Sequence, residues 1–556
     1  MKERAYRLMK TWCDTLLTYQ VRTHTPYTDG ALLCPTCHII HGRIADLCFP
    51  LSVLWARTGD EGYLAQADRL IRWSEYNLKT QDGLWYNDIT NRWYATSAFS
   101  AMSIGETLLH FEDTLPDEYR TAWRAIFLRM VGTIKTLDTR ESFQPVSNYY
   151  CGVAAVLAMA WRLTGDASYR EKATHWRDVA MPRFDEDGLF FGEGPLTAAS
   201  DGSRTVDMGY NLEESMPLLL RYARLMGEDE TFFRDRLRDH LAFLLPDGAI
   251  DDSFGTRHNK WTYWGSRTSD GLIEGLSLVL DDPMFADACE RVLTLYESCT
   301  HDGLLAMPMA HEVGEPTCLH HTFTHAKALA ALVCAEQVPP VVRGKLPCEE
   351  KRGVRAYQNG RLITVSHGVF RATFSAAGSG YLPSHTANAG GSMNLLYHDV
   401  YGPVCAATSA QYSPTESLNQ QYLRYAPEPA CMTAQFVIDG QLACQQTGDV
   451  ALTSCEHTVT ASTDTWQASY TFDDKRLTIR LCCDEGVYQL PIVASKERTV
   501  TLSDDGRVLT IDRGPTVRSS VPLHVDVDQR VFHPVGGLLY LPIDIPVHGT
   551  VDVVLE

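Results

Sequence analysis

Two different rhythms of apolar and polar positions run along this chain. Over residues 44–56, Ile44, Leu47, Leu51, Leu54 and Trp55 recur at helical spacing, which predicts a helix with one apolar face. The turn "RTGDEGYL" follows, with a Gly to stop that helix and an Asp near the start of the next, "YLAQADRLIRWSEYNL". Related turns return as "LTGDASYR" at Thr164 and "LMGEDETFF" at Met226. In phase with them, an Asp-Gly pair closes each two-helix unit at Asp29, Asp82, Asp187, Asp247 and Asp302, with one pair missing near "LDTRESFQPVSNYY". The period is about 55 residues and six periods fit before residue 336, the length of stacked supersecondary units. This pattern predicts an (α/α)6 toroid, six helical hairpins in a closed ring with equivalent loops at one end. An open α-solenoid is the alternative.

The second rhythm begins after "QVPPVVRGKLPCEEKRG" (337–353). From about residue 354 apolar and polar residues alternate with period two. "WQASYTFDDKRLTIRL" predicts a hairpin about Asp473-Asp474, and "RTVTLSDDGRVLTID" one about Asp505-Gly506. The expected organisation is a multidomain α+β chain: a toroid over 1–336, a linker over 337–353 and an antiparallel β-sandwich over 354–556. One polar, Gly-rich stretch, "PSHTANAGGSMNLLYHDVYGP" (383–403), is expected to reach across the toroid's mouth.

Composition narrows the class. With 556 residues, 45% apolar and 21% charged, the chain is a folded protein too long for one core. No apolar run approaches the ~18 residues of a membrane span. The N-terminal "MKERAYRLMKTWCDTLLTYQ" has no signal-peptide pattern, so a cytoplasmic protein is expected. A net charge of −20 argues against nucleic acid, yet a few arginines in a cleft suffice for a small acidic substrate.

The 16 cysteines are only about 3% of the chain and mostly sit in apolar runs, as buried thiols do. "LLCPTCHIIHGR" (32–43) satisfies the C-x-x-C-H pattern of covalent haem. Haem attachment needs export, a zinc knuckle needs a second C-x-x-C or H-x-H pair downstream, and a redox dithiol needs a βαβ context. The sequence supplies none of the three. The stretch follows the first Asp-Gly loop, so His41 and Arg43 are expected in the site, with the cysteines packing behind them. His321 and His325 lie one helical turn apart but lack a spaced third ligand. Neither metal nor cofactor is expected.

Loops sharing one end of a ring bring their unusual residues together. The first supplies His41 and Arg43, the third Asn148 and Tyr149, and the fourth Glu193, Tyr210, Asn211, Glu213 and Glu214. The fifth, "DDSFGTRHNKWTYWGSRTSDG", is densest: Asp251, Asp252, Arg257, Trp261, Tyr263, Trp264, Arg267 and Asp270. The sixth adds His320 and His321. Aromatics with Arg, Asn and carboxylates suit a sugar, whose ring faces stack and whose hydroxyls need directional partners. Several arginines suit a carboxylated sugar by bidentate pairing. Glycoside hydrolysis needs two carboxyl groups, one held protonated. Glu193 lies between two glycines; of Glu213 and Glu214, about 100° apart on a helix, one faces the cup. Glu193, Glu214 and Asp252 form the expected catalytic pool. His41, Arg43, Asn148, Tyr149, Tyr210, Asn211, Arg257, Trp261, Tyr263, Trp264, Arg267, Asp270, His320 and His321 are the expected substrate contacts.

"IHGRIADLCFPLSVLWARTGDEGYL", "GYNLEES", "SFGTRHNKWTYWGSRTSDG" and "HHTFTHAKALA" resemble a family of bacterial toroid-plus-β-domain proteins that includes exo-acting β-glucuronidases. The resemblance covers roughly residues 25 to 335. The architecture also resembles heparinase II/III-type and alginate lyases, and "HTANAGGSMNLLYHDVYG" is similar to the Gly/Ser loop that opens their sandwich. What the resemblance implies is a uronic-acid substrate, an oligosaccharide or glycoside. The leading expectation is therefore an exo-hydrolase removing terminal β-linked glucuronic acid, working as a homodimer. The alternative is a lyase acting by β-elimination, with Asn148 neutralising the uronate carboxylate and His320 or Tyr263 as base. A non-catalytic sugar-binding protein is the third reading.

Overall fold

The computed structural model describes residues 1–36, 38–137, 146–193, 204–343, 345–376, 389–408, 431–443 and 450–556. Within them the helices are α1 (Lys2–Thr18), α2 (Cys48–Thr58), α3 (Gly62–Asn77), α4 (Ser97–Phe111), α5 (Asp117–Thr136) and α6 (Asn148–Thr164). They continue as α7 (Ala167–Ala180), α8 (Met216–Met226), α9 (Thr231–His240), α10 (Leu272–Ser277), α11 (Pro283–Ser298) and α12 (Leu319–Cys334).

Even and odd helices differ as their sequences do. α4 "SAFSAMSIGETLLHF" and α6 "NYYCGVAAVLAMAWRLT" are small and apolar all round, and twelve or more consecutive residues of each are buried. Such helices belong inside a larger core. α1 buries only Ala5, Leu8, Met9, Trp12, Cys13 and Leu16, a single stripe, and α3, α5, α7 and α9 follow suit, while α11 is buried over most of its length. The even helices touch in sequence, α2 on α4, then α6, α8, α10 and α12, and α12 returns to α2. That contact closes the ring and excludes the open solenoid. Outer helices pack on the inner helix before them, except that α1 pairs with α12.

The repeated turns work as their residues suggest. Gly59 ends α2 and Gly165 ends α6 in the left-handed conformation, and Asp166 caps α7 by accepting from Ser168 N at 2.9 Å. Each Asp-Gly turn is flanked by a short antiparallel bridge or two-residue hairpin: Gln20–Leu32, Lys79–Trp85, Phe184–Phe190, Leu244–Ile250 and Thr300–Leu305. These turns lead from an outer to the next inner helix, so the segments after them gather at one end of the ring.

At this end loop packing leaves no room at Gly42. A Cβ built there would stand 1.6 Å from the backbone oxygen of Asn87 and 2.8 Å from Asp88 Cα. Backbone cannot yield as a side-chain tip does, so Gly42→Ala is expected to cost at least about 2–3 kcal/mol. A shifted denaturant midpoint at unchanged m-value would register it.

The second half is antiparallel β-structure. A five-stranded sheet runs through Gly353–Tyr357, Leu362–His367, Phe370–Ser375, Ser392–His398 and Gly402–Ala406. A larger sheet is centred on the long strands Leu477–Gln489 and Asp544–Leu555. Phe374, Tyr470, Phe472, Ile479 and Val553 meet in the core between them. Both sequence-predicted hairpins form, Trp466–Phe472 on Leu477–Gln489 and Val500–Leu502 on Val508–Ile511. The start of the stretch expected to cross the mouth, 383–388, lies outside the described residues; 392–398 is a buried strand. The β-domain grips the toroid at its fifth and sixth loops: Gly536 N donates to Trp261 O at 2.8 Å and Met309 N to Gly537 O at 3.0 Å.

Candidate active site

The inner helices carry ionisable residues in otherwise apolar surroundings, and these meet inside the ring. Arg43, on the 3-10 turn Gly42–Leu47, donates to Asp270 at 2.6 Å and to Asp46 at 2.5 Å, with its guanidinium over the Phe99 ring. Lys327 on α12 takes the other oxygen of Asp270 at 2.5 Å. Burial pushes Asp270 up, but Arg43 and Lys327 outweigh it and hold the carboxyl below its ordinary range.

Next to this network Glu214 accepts from the Asn148 side-chain amide at 2.5 Å. Glu214 lies in a π-turn (Asn211–Ser215) ahead of α8, and Asn148 is the first residue of α6. Burial drives the Glu214 pKa well above the carboxylate range, and the Asp270 charge adds to it, while Arg43 and Asn148 only oppose it. Its protonated form is thus favoured, and Asn148 Oδ1 accepts no hydrogen bond among the described residues. Glu213 points the other way, accepting from Ser266 N at 2.8 Å and contacting His325.

Glu193, beyond the fourth Asp-Gly turn, pairs with Arg257 Nε at 2.9 Å. Burial raises it to about 7, opposed by Arg257 and reinforced by Asp207. Arg257 lies over the Tyr210 ring, and Arg257 and Lys260 each donate to the Tyr210 hydroxyl at 3.4 Å. Thr268 also meets that hydroxyl. Burial lifts the phenol well above its ordinary value, against the pull of Arg257. Tyr149 accepts from Trp93 Nε1 at 2.8 Å on the same wall.

Thus Arg43, Asn148, Tyr149, Glu193, Tyr210, Glu214, Arg257 and Asp270 belong to one linked cluster. Other expected contacts are engaged elsewhere. Asp252 accepts from Met208 N at 2.5 Å and faces Asp207, which itself accepts from Tyr210 N and Arg257 N. That pair shapes the loop. Asn211 donates to Phe190 O and meets His240, locking the fourth turn. Trp261 donates to Ile250 O, Trp264 to Ala306 O and Tyr263 to Asp247. Buried Arg267 pairs its backbone N–H with Lys260 O, and His321 packs on Trp264. His41 and His320 stand ring to ring, 5.2 Å between centroids, at the first and sixth loops. The sequence reading passed over Asp46, Lys260, Thr268 and Lys327. Two of them carry a signal, Asp46 and Lys327, each a lone charge in an apolar run, "IADLCFPL" and "AKALAALV".

The arrangement offers a buried carboxyl group, its pKa raised, with an amide and, a few side chains away, a phenol between two cations. Comparison with known proteins agrees on the kind of protein that carries it. Residues 9–350 match the family model "Ulvan lyase N-terminal domain" and residues 354–444 the model "Ulvan lyase C-terminal domain". A "Broad-specificity ulvan lyase" of Formosa agariphila is 30% identical, over 97% of this chain and 91% of that protein. Among solved structures, heparinase III superposes with a TM-score of 0.53 at 12% identity, over 91% of this chain and 75% of its own. The Streptomyces coelicolor A3 chondroitin AC lyase, in complex with chondroitin sulphate, gives 0.54 at 13%, over 100% and 79%. Those two likenesses concern the fold.

Proposed function

The chain belongs to the ulvan lyase family and is a polysaccharide lyase; on that premise we propose that it cleaves a uronate-containing polysaccharide such as ulvan by β-elimination at this site. The membership overturns the leading expectation from sequence, an exo-acting glucuronidase hydrolysing through a carboxylate pair, and equally the non-catalytic reading. The chemistry of the carboxylates agrees with that correction: Glu193 is tied to Arg257 and Asp252 to backbone amides.

β-Elimination requires the uronate carboxylate to be neutralised before its C5 proton can leave. The observation that carries the proposal is the Asn148–Glu214 pair. The protonated form of Glu214, which burial favours, and the Asn148 amide are both donors, able to take a carboxylate without adding negative charge. Tyr210 is assigned the C5 proton. Its phenolate form, held between Arg257 and Lys260, takes that proton. The C4–O bond breaks as the C4–C5 double bond forms, and the phenol so made returns the proton to the departing glycosidic oxygen. Tyr263, one of the two bases expected from sequence beside His320, instead donates to Asp247.

The test is the ultraviolet absorbance of an unsaturated uronyl end, followed with ulvan and with other uronate polymers. Cleavage without that absorbance would defeat elimination, and no cleavage of any uronate polymer would defeat the substrate class.

Glu193 supplies a pH signature. Above about pH 7 it is ionised and holds Arg257 against Tyr210; below, the ion pair is lost. We expect kcat/KM to fall as pH drops through about 7, and Glu193→Gln to remove that limb. The folded-state pKa is raised from 4.5, so this group's share of stability falls as pH rises from 4.5 to about 7.

A further inference from the structure

Away from the proton-transfer residues, three ligand atoms from opposite ends of the toroid sequence converge. Cys34 Sγ lies 3.8 Å from Cys318 Sγ, Cys318 Sγ lies 3.4 Å from His41 Nε2, and all three atoms lie within 4.8 Å of one another. All three residues are buried. Tetrahedral zinc has Zn–S of about 2.3 Å and Zn–N of about 2.0–2.1 Å, which places two sulfurs about 3.8 Å apart and sulfur and nitrogen about 3.6 Å apart. The two close distances match that figure. A disulfide would need the sulfurs at about 2.05 Å.

We propose that Cys34, His41 and Cys318 hold a structural zinc ion that joins the first loop of the toroid to its last inner helix. The local chain presents the ligands together. Cys34 N donates to Ile39 O at 2.9 Å and His38 N to Cys34 O at 3.0 Å, a turn closed by the Leu33–Ile40 bridge and followed at once by His41. His38 in this turn has φ of 55°. Cys318 is the residue capping the N-terminal end of α12, where the helix dipole favours a thiolate. Two thiolates and an imidazole select zinc over oxygen-seeking calcium or magnesium. On binding, the two thiols each lose a proton to solvent and nothing is oxidised or reduced. Cys37, at C-x-x-C spacing from Cys34, lies outside the described residues, so the site is argued from the other three. His41 becomes a ligand rather than a substrate contact, and the ion anchors the segment that carries Arg43 two residues later.

Elemental analysis of the full chain, expressed with zinc and purified without chelator, is expected to find about one zinc per chain. Cys318→Ser and His41→Ala should lose it. His41→Cys, which supplies another zinc ligand, and Cys455→Ser at an exposed position should keep it. Cobalt(II) reconstitution of the unaltered chain is independent of how any variant folds, and should give thiolate-to-cobalt charge transfer with the visible bands of a tetrahedral site. The proposal is overturned if the reduced chain binds neither metal, if another metal is recovered, if Cys318→Ser or His41→Ala retains zinc, or if peptide mapping finds Cys34 bonded to Cys318.

Discussion

Tyr210→Phe is expected to lower kcat on a uronate polymer by about 10³-fold while KM changes little, because it deletes one hydroxyl that transfers a proton and leaves the ring in place. The ring keeps its contact with Arg257 and its position in the wall, so folding should survive. The hydroxyl's hydrogen bonds to Arg257, Lys260 and Thr268 are the only interactions removed among those described. Initial rates of unsaturated-product formation across substrate concentration separate kcat from KM. A variant within tenfold of the parent kcat would remove Tyr210 from the proton transfer. Asn148→Ala should also lower kcat, since the amide is needed most as charge develops on the uronate.

The second large effect is on stability. Asp270 joins Arg43 on the first loop to Lys327 on the last inner helix, with all three side chains buried. Among the described residues, Asp270→Ala leaves Lys327 paired with Glu274, 3.7 Å away, and Arg43 with Asp46. Removing one partner of a buried ionic network costs about 3–5 kcal/mol, because the remaining charges stay desolvated. By contrast Asp552→Asn, which breaks the exposed pair with Arg480, should change stability by less than about 1 kcal/mol. Chemical denaturation of both variants checks the contrast; an Asp270→Ala cost as small as that of Asp552→Asn would show the network to be water-relaxed.

Why the fold was legible and the site only partly so follows from which distances sequence encodes. The Asp-Gly and T-G-D turns are local devices, each fixed by a few neighbouring residues, and their spacing counts hairpins directly. Apolar inner and striped outer helices announce their layer. The alternation past residue 354 announces strands in the same way. Membership of the site depends instead on which face of a loop a side chain takes. In 251–270 the aromatics that make the segment conspicuous turn to backbone carbonyls and the β-domain, whereas Arg257 and Asp270 turn inward. Glu213 and Glu214 could be told to diverge, and Asn148 closes on Glu214 from a helix 66 residues away. Cys318, 284 residues from Cys34, lay beyond any spacing rule.

One feature of the ring bears on its birth. α1 packs on α12, so α1 waits for a partner made about 300 residues later. At roughly 5–20 residues per second, its stripe of Leu8, Trp12 and Leu16 stays without its cover for tens of seconds on the ribosome. Every other hairpin finds its mate within a helix length. A circular permutant in which α1 follows α12 through a short linker would make all six hairpins local, and should refold faster and aggregate less while reaching the same ring.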